Sequence, residues 1–537
     1  MEVLFVVWAI AAFGLFTNGI YDIRRILLSL RWLKQERGGQ HLTLEDAPYI
    51  VVLLPVLREQ RLIADTLQIL ADLKYPLSHL RIFVITTEKE IAHREQARAR
   101  LALLAKEIAS RHFPTAFLVE KYLGVLPEDT LRKTIKLAGC RKGEADVHRL
   151  LLEIFNSYPT TLDIVSNDVA RLNEQLSIHL FTHLHYPGTN GDMSQQLEFA
   201  LQQLPSHLAI TDSAKMCTYL AIYNADSRPH TDSLLSLANM CKSYCAQHAS
   251  FPPAIQQSAV FLENMSQLGT SLTGYLLGAA AILQTRWVLS HEIPRLRRQS
   301  RSALQFQSSK PSLLKRLLGA EFALCVGHGF FIRYDLAESL KLFSMSRLCD
   351  DLLWSFRLCI EHIPILPVPL LESAESPTTL KSLLTQKKSW FLGYTEYLRY
   401  GLTVVQKKTY DTFTIVLITF HAIIRAIKWL LLSPVVFIAF ALPIFLHSWS
   451  LLLVSTAVYG IYGFLTYWLI LRQIETLRGR SGGSWDVSSF SFFQKMYLVL
   501  FSLPAFLIES VGLWWCLLQG IYWAIAHKPA SKQKTER

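Results

Sequence analysis

The apolar residues of this chain are concentrated at its two ends, and this distribution limits the possible folds more than any other feature. Val3 to Ile20 is a continuous apolar run, and apolar residues dominate again beyond Trp429. Since a helix of about 20 apolar residues crosses a bilayer, both ends are predicted to enter a membrane. The stretch between them has an ordinary globular composition, so we expect a folded domain held at the membrane by both termini.

The first apolar run is predicted to be a permanent membrane span. No positive charge precedes it and no small-residue cleavage site closes it, which argues against the alternative, a signal peptide. It is followed by a series of basic residues, namely Arg24, Arg25, Arg31, Lys34 and Arg37. Because basic loops stay on the cytosolic side, the N-terminus is predicted to lie outside and the domain that follows in the cytosol.

The C-terminal region is predicted to cross the membrane four times. Trp429 to His447 and Ser450 to Leu471 each have spanning length, and Ser488 to His527 is long enough for two joined spans. Tyr410 to Lys428 is apolar but contains Arg425, so it is interpreted as an amphipathic helix on the membrane surface; a sixth span is the alternative. The predicted location is the cell (inner) membrane, crossed several times.

The net charge of +12 indicates an anionic partner. The basic residues lie beside the apolar segments rather than in one exposed stripe, which favours membrane lipid over nucleic acid as that partner. The eight cysteines include no C-x-x-C pair, and Cys241 and Cys245 fit one face of a helix better than a metal site. A reducing compartment is therefore expected.

The middle of the chain is predicted to be an α/β domain with a mostly parallel sheet. Ile50 to Leu54 and Arg81 to Thr87 have the composition of buried strands, and Asp65 to Leu73 between them has helical spacing. Lys89 to His183 is a helix-rich insertion without a chemical motif, either a subdomain that packs on the core or a partner contact. Gln299 to Lys315 is basic and rich in Ser and Gln, which predicts a mobile loop near the bilayer.

The first chemical motif follows a predicted strand at Tyr219 to Tyr223. Ligands of such sheets bind at the carboxyl ends of the strands, where this chain places Asn224, Ala225 and Asp226. Oxygen ligands there could hold Mg²⁺ or Mn²⁺ against a diphosphate. The alternative is a capped turn.

Two further motifs follow in the same domain. Gly327, His328 and Gly329 precede an apolar strand, and the glycines let backbone approach a ligand closely; a plain β-turn is the alternative. Asp350 and Asp351 open a predicted helix, where acidic residues either interact with the helix dipole or supply a general base.

In their order and spacing, these elements resemble the membrane-integrated family 2 inverting glycosyltransferases, which include cellulose, chitin and hyaluronan synthases. The family's Pro-x-x-Asn-Glu, Asp-x-Asp and Gly-x-Gly elements are matched by Pro55 to Glu59, Asn224 to Asp226 and Gly327 to Gly329. Its Thr-Glu-Asp and Gln-x-x-Arg-Trp motifs resemble Cys349 to Asp351 and Gln386 to Trp390. The resemblance implies a GT-A-like catalytic domain, a UDP- or GDP-linked sugar donor and a divalent Mg²⁺ or Mn²⁺ ion.

The resemblance also implies roles for individual residues. Donor and nucleotide binding are expected from Pro55, Glu59, Thr87, Glu88, Asn224, Ala225 and Asp226. Asp226 and Asn224 are the expected metal ligands, and Asp351, as the general base, and Asp350 are the expected catalytic residues. Acceptor contacts are expected from Gly327, His328, Gly329, Gln386 and Trp390.

The chain departs from the family pattern in ways that leave the nucleotide base and the processivity open. Arg58 stands where the family has Asn, and Thr86, Thr87 and Glu88 stand where acids usually hold the nucleoside. Asn224 replaces the first carboxylate of the metal motif, and Ser389 replaces the arginine of the last motif.

The predicted organisation runs from a span to a catalytic domain and back to the membrane. The segments are a span at 1–23, a linker at 24–48, a catalytic domain at 49–390 with its insertion at about 89–183, interfacial helices at 391–428, spans at 429–527 and a cytosolic tail at 528–537.

The predicted activity is transfer of a sugar to a glycan or lipid-linked acceptor, including polysaccharide synthesis, with further synthase subunits as possible partners. The C-terminal helices are expected to form either a channel for a growing polysaccharide or a platform for a lipid-linked acceptor. The main alternative is a catalytically degenerate homologue that binds nucleotide or glycan as a scaffold. A transporter is disfavoured, because an ordinary carrier has no place for an ordered set of catalytic-type motifs.

Overall fold

The structure, a computed structural model, describes residues 2–35, 47–110, 112–122, 124–141, 143–308, 321–344, 350–406, 411–483 and 490–525. The chain forms two compact units. The larger unit comprises Met1–Val51, Asp72–Leu80 and Ile210–Arg537, and the smaller unit comprises Val52–Ala71 and Arg81–Ala209.

The strands of the described residues are β1 (Tyr49–Pro55), β2 (Leu80–Thr87), β3 (Phe181–Tyr186), β4 (Thr218–Ile222), β5 (Arg228–Pro229), β6 (Ala254–Gln256), β7 (Ala259–Val260), β8 (Phe330–Arg333), β9 (Ile365–Pro367) and β10 (Glu372–Ser373). Seven of them form a mostly parallel sheet in the order β3-β2-β1-β4-β8-β6-β9, and β5, β10 and β7 form a second, three-stranded sheet. The predicted α/β class is confirmed.

The first twelve α-helices in the part of the chain that the structure describes are α1 (Glu2–Gln35), α2 (Ile63–Ala71), α3 (Glu88–Ser110), α4 (Thr115–Lys121), α5 (Glu128–Ala138), α6 (Glu144–Ser157), α7 (Thr161–Leu176), α8 (Met193–His207), α9 (Asp212–Lys215), α10 (Ser233–His248), α11 (Leu272–Trp287) and α12 (Ile293–Ser308). They are followed by α13 (Tyr334–Ser339), α14 (Asp350–Ile360), α15 (Leu380–Gln406), α16 (Thr412–Phe445), α17 (Trp449–Tyr459), α18 (Thr466–Arg472), α19 (Ile474–Ser481), α20 (Phe492–Leu500) and α21 (Ser502–Ile525). Two π-helical segments, Val288–Glu292 and Gly460–Leu465, continue helices without a break.

The smaller unit follows the predicted β-α-β order. The apolar runs of β1 and β2 are almost fully buried, and α2 buries its apolar face through Ile63, Leu67 and Leu70. β2 pairs in parallel with β3, with Ile82 opposite Phe181. The predicted helix-rich stretch forms α3 to α7, and the side chains of α3 to α6 make a core of their own around Leu101 and neighbouring apolar residues.

The larger unit contains an antiparallel strand that the sequence did not predict. β8 runs antiparallel to both β4 and β6, while β6 and β9 are parallel. The run Phe330–Arg333 is short and apolar, and such a run does not encode the direction of its neighbours. The antiparallel direction of β8 depends instead on the segments that connect it to its neighbouring strands.

In the described residues, four helical stretches are long and apolar enough to cross a membrane, namely Glu2–Gln35, Thr412–Phe445, Trp449–Arg472 and Ser502–Tyr522. Spans at the N-terminus and in the C-terminal region were predicted. Where two joined spans were expected from Ser488 to His527, the described part forms the nine-residue helix α20 and one helix of spanning length, α21.

Two further predictions differ from the structure. The segment from Tyr410 to Lys428 was interpreted as a separate amphipathic helix, but its described part is continuous with the following apolar segment in α16. Good helix formers occupy the junction, so no residue there ends the helix. The predicted mobile loop at 299–315 is helical in α12 as far as Ser308, and the rest lies outside the described residues.

Candidate functional site

The first candidate motif lies in a tight turn directly after β4. The amide of Ser227 donates to the carbonyl of Asn224 at 3.0 Å, and the amide of Asn224 donates to Oγ of Ser227 at 3.1 Å. Asp226 is buried, with 8% exposure, whereas Asn224 is half-buried. The capped turn considered as the alternative is therefore present. Its bonds use the backbone of Asn224 and leave its side-chain amide for other interactions.

The chain leaves this turn as β5, which connects it to two distant segments. β10 pairs antiparallel with β5 and parallel with β7, so Glu372 lies opposite Pro229 on one side and Ala259 on the other. Oγ of Ser373 donates to Glu263 at 2.6 Å, and Nε of Arg228 lies 3.8 Å from the same carboxylate. The small sheet thus brings residues from three parts of the chain beside the turn of Asp226.

The Gly327 to Gly329 loop is fixed to the end of β6. Oε1 of Gln256 accepts from the amide of Val326 at 2.9 Å, and Nε2 of Gln256 donates to the carbonyl of His328 at 2.9 Å. Gly329 has a φ of +60°, and a Cβ atom there would lie 2.6 Å from the carbonyl oxygen of Gln257. Gly329 is thus required by both backbone conformation and space.

The imidazole of His328 is held by a glutamate. Nδ1 of His328 contacts Oε1 of Glu372, whose side chain has no solvent exposure. Burial lowers the pKa of His328 to about 4, so the ring is neutral at physiological pH. A neutral ring that donates from Nδ1 presents an acceptor lone pair at Nε2.

Aromatic rings continue from His328 towards the last motif. The ring of Phe261 lies edge-on to His328 at 6.4 Å and to Trp390 at 6.0 Å. Trp390 lies on α15, one turn after Lys387, whose Nζ is 4.7 Å from the Trp390 ring centroid. The loop from Gly327 to Gly329 and the segment from Gln386 to Trp390, which are far apart in the chain, are therefore neighbours.

Asp350 and Asp351 open α14, as predicted. Oδ1 of Asp351 accepts from the amide of Leu352 at 2.9 Å, and its carbonyl accepts from Oγ of Ser355 at 2.7 Å. Ser355 also accepts from the amide of Cys325 at 2.6 Å. The helix that carries Asp351 is therefore bonded to the segment leading into the Gly327 loop. Cys349, the first residue of this motif, lies outside the described residues.

Gln386 lines a small cavity together with Phe261, Gln284, Ser376 and Lys387, among others. Gln386 is 4% exposed, and its Nε2 has no hydrogen-bond partner among the described residues. A buried amide donor without a partner is costly, and this one lies in the wall of a cavity. The predicted binding role of Gln386 remains a prediction.

In the smaller unit, Glu59, Thr87 and Glu88, which are predicted to bind the nucleotide, contact other residues of the same unit. Oγ1 of Thr87 donates to the carbonyl of Gly188 at 3.3 Å, and Glu88 pairs with Nε2 of His185 at 3.0 Å. Pro55 ends β1, and the amide of Glu59 donates to Oγ1 of Thr161 at 2.9 Å.

Arg58, the departure from the family's Asn in that segment, has a φ of +55°. Asn adopts this left-handed conformation more readily than Arg. Arg58 therefore has the left-handed backbone conformation that an Asn at this position would adopt more readily.

The side chains available to a metal at Asp226 are few. In the described ranges, no three His, Cys, Asp or Glu side chains are grouped to hold an ion. A buried carboxylate and an amide oxygen two residues earlier are hard oxygen donors, and Mg²⁺ and Mn²⁺ accept such a partial set when substrate phosphates complete the shell. The donors therefore fit an ion that arrives with a diphosphate, and not an ion held by protein alone.

Glu372 and Glu292 are buried glutamates that the sequence analysis did not single out. Glu372 follows the apolar run Val368 to Leu371, and a single charge in such a run is a recognisable signal. Glu292 ends the π-helical segment after α11, and burial raises its pKa to about 7. A π-helical segment is often found at functional sites, but it has no signature in the sequence.

No family model and no curated protein matches the chain. Among solved structures, it is similar to the mannosyltransferase PcManGT from Pyrobaculum calidifontis in complex with GDP-Man and Mn²⁺. The sequence identity is 12%, the match covers 96% of this chain and 99% of that chain, and the TM-score is 0.36. A likeness at this TM-score says nothing about the role of any residue.

Proposed function

We propose that this protein is a membrane-bound inverting glycosyltransferase that moves a sugar from a nucleotide-sugar donor to a glycan or lipid-linked acceptor. The observation that carries the proposal is the small sheet β5-β10-β7. It joins the turn of Asp226 to Glu372, and Glu372 contacts His328 of the glycine loop. Two motifs a hundred residues apart in the chain are thereby linked, and inverting sugar transfer needs donor-side and acceptor-side groups together.

The donor side of the reaction is assigned to the turn after β4. Asp226, helped by the amide oxygen of Asn224, would hold Mg²⁺ or Mn²⁺ together with the donor diphosphate, and the ion would stabilise the charge that develops on the departing nucleoside diphosphate. Ala225 lies between them and is buried, so the backbone there has little freedom. Pro55, Glu59, Thr87 and Glu88 are proposed to bind the nucleotide.

The base is proposed to be Asp351, which would take the proton of the acceptor hydroxyl. A positioned base typically contributes about 10²- to 10⁴-fold in rate. Its neighbour Asp350 is buried, with 7% exposure, and is proposed to support the start of the helix. The bond network through Ser355 supports this assignment, because it ties the helix of Asp351 to the acceptor loop.

The acceptor is proposed to bind along the aromatic path from His328 to Trp390. The Nε2 lone pair of His328 can accept from a sugar hydroxyl but cannot donate to a phosphate, which favours a glycan contact. Trp390 is half-buried and is proposed to stack on a sugar ring, and Gln386 offers an amide donor without a partner in the described residues. Gly327 and Gly329 are proposed to let the loop backbone approach the acceptor.

The alternative is a scaffold that binds nucleotide or glycan without turnover. It is favoured by one observation, the single carboxylate at the metal motif, where Asn224 replaces the first carboxylate of the pair. The two functions differ in one measurable property, because only an enzyme consumes the donor.

The test is a donor-consumption assay on the purified full-length protein with UDP- and GDP-linked sugars, with and without Mn²⁺. The proposal expects release of nucleoside diphosphate from one donor class that depends on the ion. Asp212→Asn, a change at a side chain that is 98% exposed, is the control and should leave the rate unchanged. Binding of a donor without release by the wild-type protein would support the scaffold instead.

A further inference from the structure

Five basic side chains of the larger unit meet where α1 and α16 approach α12. We call Arg25, Arg295, Arg298, Arg425 and Lys428 the basic cluster. Arg25 follows the apolar part of α1, and Arg425 and Lys428 precede the apolar part of α16. Arg295 and Arg298 lie three residues apart on α12 and so share one face of that helix.

Contacts between the three helices define the cluster. Nη1 of Arg25 donates to the carbonyl of Ser290 at 3.3 Å, just before α12 begins. Nζ of Lys428 donates to Oδ1 of Asn18 on α1 at 2.7 Å. Arg298 makes two bonds to Glu321, at 3.1 and 3.0 Å, and Nη2 of Arg425 lies 3.9 Å from the same carboxylate.

The acids of the described residues do not balance these cations. Glu321 serves both Arg298 and Arg425, and Asp22 is occupied by the buried Arg286 at 2.7 Å. His291 lies 3.7 Å from Asp22, but burial lowers its pKa well below the usual value, so it stays neutral. Glu292, three residues before Arg295, is a third carboxyl group near the cluster, and burial raises its pKa to about 7. Three carboxyl groups thus face six cations when Arg286 is counted with the cluster.

Two guanidinium groups retain unused donors inside the cluster. Nη1 of Arg295 and Nη1 of Arg425 are buried and have no hydrogen-bond partner among the described residues. Burial, followed by repulsion from Arg425, lowers the pKa of Arg295. Buried arginines are normally paired, so donors of this kind indicate a missing anion.

The surroundings of the cluster indicate that the anion belongs to a lipid. α16 exposes an apolar stripe at helical spacing that runs past Arg425 and Lys428, formed by Val416, Phe420, Ile424, Ile427 and Leu431. α1 likewise exposes Leu27 and Leu28 beside Arg25. Basic groups that lie beside the apolar stretch of a membrane helix can interact with lipid headgroups, where anionic phosphates are found. A soluble anion would need no such apolar border.

We propose that the basic cluster binds the phosphate group of a membrane lipid, with the lipid chains along the apolar stripe of α16 and the phosphate oxygens at the unused donors of Arg295 and Arg425. This goes beyond the proposed transfer reaction and does not depend on it. Arginine suits the task because its planar group donates two parallel bonds to one phosphate.

The test is native mass spectrometry of the full-length protein in detergent, titrated with phosphatidic acid and, separately, with phosphatidylcholine. We expect the wild type to retain one phosphatidic acid and Arg295→Gln/Arg425→Gln to bind it at least tenfold more weakly. Arg301→Gln on the same helix is the matched control, because Arg301 is exposed and lies outside the cluster. Inorganic phosphate and pyrophosphate are added as competitors.

Equal retention of phosphatidic acid by wild type and double variant would overturn the proposal, and so would equal retention of phosphatidylcholine. Displacement of the lipid by an equal concentration of free phosphate would assign the cluster to a soluble anion and would also overturn it. If the double variant is not monodisperse, Arg295→Gln alone is compared with the control, since its Nη1 has no described partner to lose. Neither readout uses the transfer reaction, so failure here is distinguishable from failure of the proposed function.

Discussion

Nδ1 of His328 contacts the carboxylate of Glu372, which lies on a strand 44 residues further along the chain and is fully buried. The contact fixes the orientation of the imidazole and places its proton on Nδ1. The second carboxylate oxygen, Oε2, has no hydrogen-bond partner in the described part of the chain. Glu372 is therefore a positioning residue, and its effect on any ligand acts through His328.

Replacing Glu372 by Ala should leave Nδ1 of His328 buried without a partner. The expected cost is about 1–3 kcal/mol of folding free energy, measured by thermal unfolding in detergent. In the transfer assay, we expect the KM for the acceptor to rise while donor hydrolysis is unchanged. Glu372→Gln retains an acceptor oxygen and should lie close to wild type in stability. An alanine variant with normal stability and normal acceptor KM would contradict this role.

Gly329→Ala should destabilise the acceptor loop. The positive φ of Gly329 and the carbonyl of Gln257, 2.6 Å from the position of a Cβ atom, leave no room for a methyl group. We expect a lower melting temperature and reduced transfer, with at least ~1 kcal/mol lost from the backbone conformation alone. Gly479→Ala is the matched control, because a Cβ there meets nothing within 4 Å. Equal melting temperatures of both variants would refute the expectation.

Glu292 should make stability depend on pH. Burial raises its pKa to about 7, above the value of an unfolded glutamate, so its stabilising contribution is complete below pH ~4.5 and is lost as the pH rises through ~7. The loss is on the order of 3 kcal/mol. Glu292→Gln removes this titration, so the variant should lose less stability than wild type between pH 5 and pH 8. Parallel melting curves across that range would show that Glu292 does not titrate there.

Substitutions of Lys387 and Glu509 should have non-additive effects on the free energy of unfolding, because the two side chains form an ion pair. The groups are 2.8 Å apart, with side-chain exposures of 2% and 13%, and they join α15 to α21. Lys387→Met leaves a buried carboxylate unpaired, which typically costs about 3–5 kcal/mol. The double variant Lys387→Met/Glu509→Gln should recover much of that loss, measured by thermal unfolding. If the free-energy changes of the two single variants simply add in the double variant, the ion pair does not contribute as proposed.

The sequence predicted those features that depend on local pattern. Buried runs identified β1 and β2, and the apolar segment after Met1 identified α1 as a candidate span. The order of motifs predicted turns after β4 and before β8. Each is set by residues close together in the chain, where composition and periodicity are informative.

Long-range pairing was not predictable. The two-residue strands β5, β7 and β10 have no periodicity of their own, and they exist only because distant segments meet. The contact of His328 with Glu372 depends on that sheet. For the same reason, the antiparallel direction of β8 and the meeting of Arg25 with α12 could not be read from any single segment.

The central claim, that Asp226 and Asp351 serve one reaction, is tested most directly by separating donor binding from transfer. Binding of the donor nucleoside diphosphate with Mn²⁺ is measured by calorimetry, and transfer by product mass spectrometry, for Asp226→Ala and Asp351→Asn. The account predicts that Asp226→Ala loses ion-dependent binding, and that Asp351→Asn binds normally but transfers at least 10²-fold more slowly. Near-normal transfer by Asp351→Asn, or unchanged ion-dependent binding by Asp226→Ala, would contradict it.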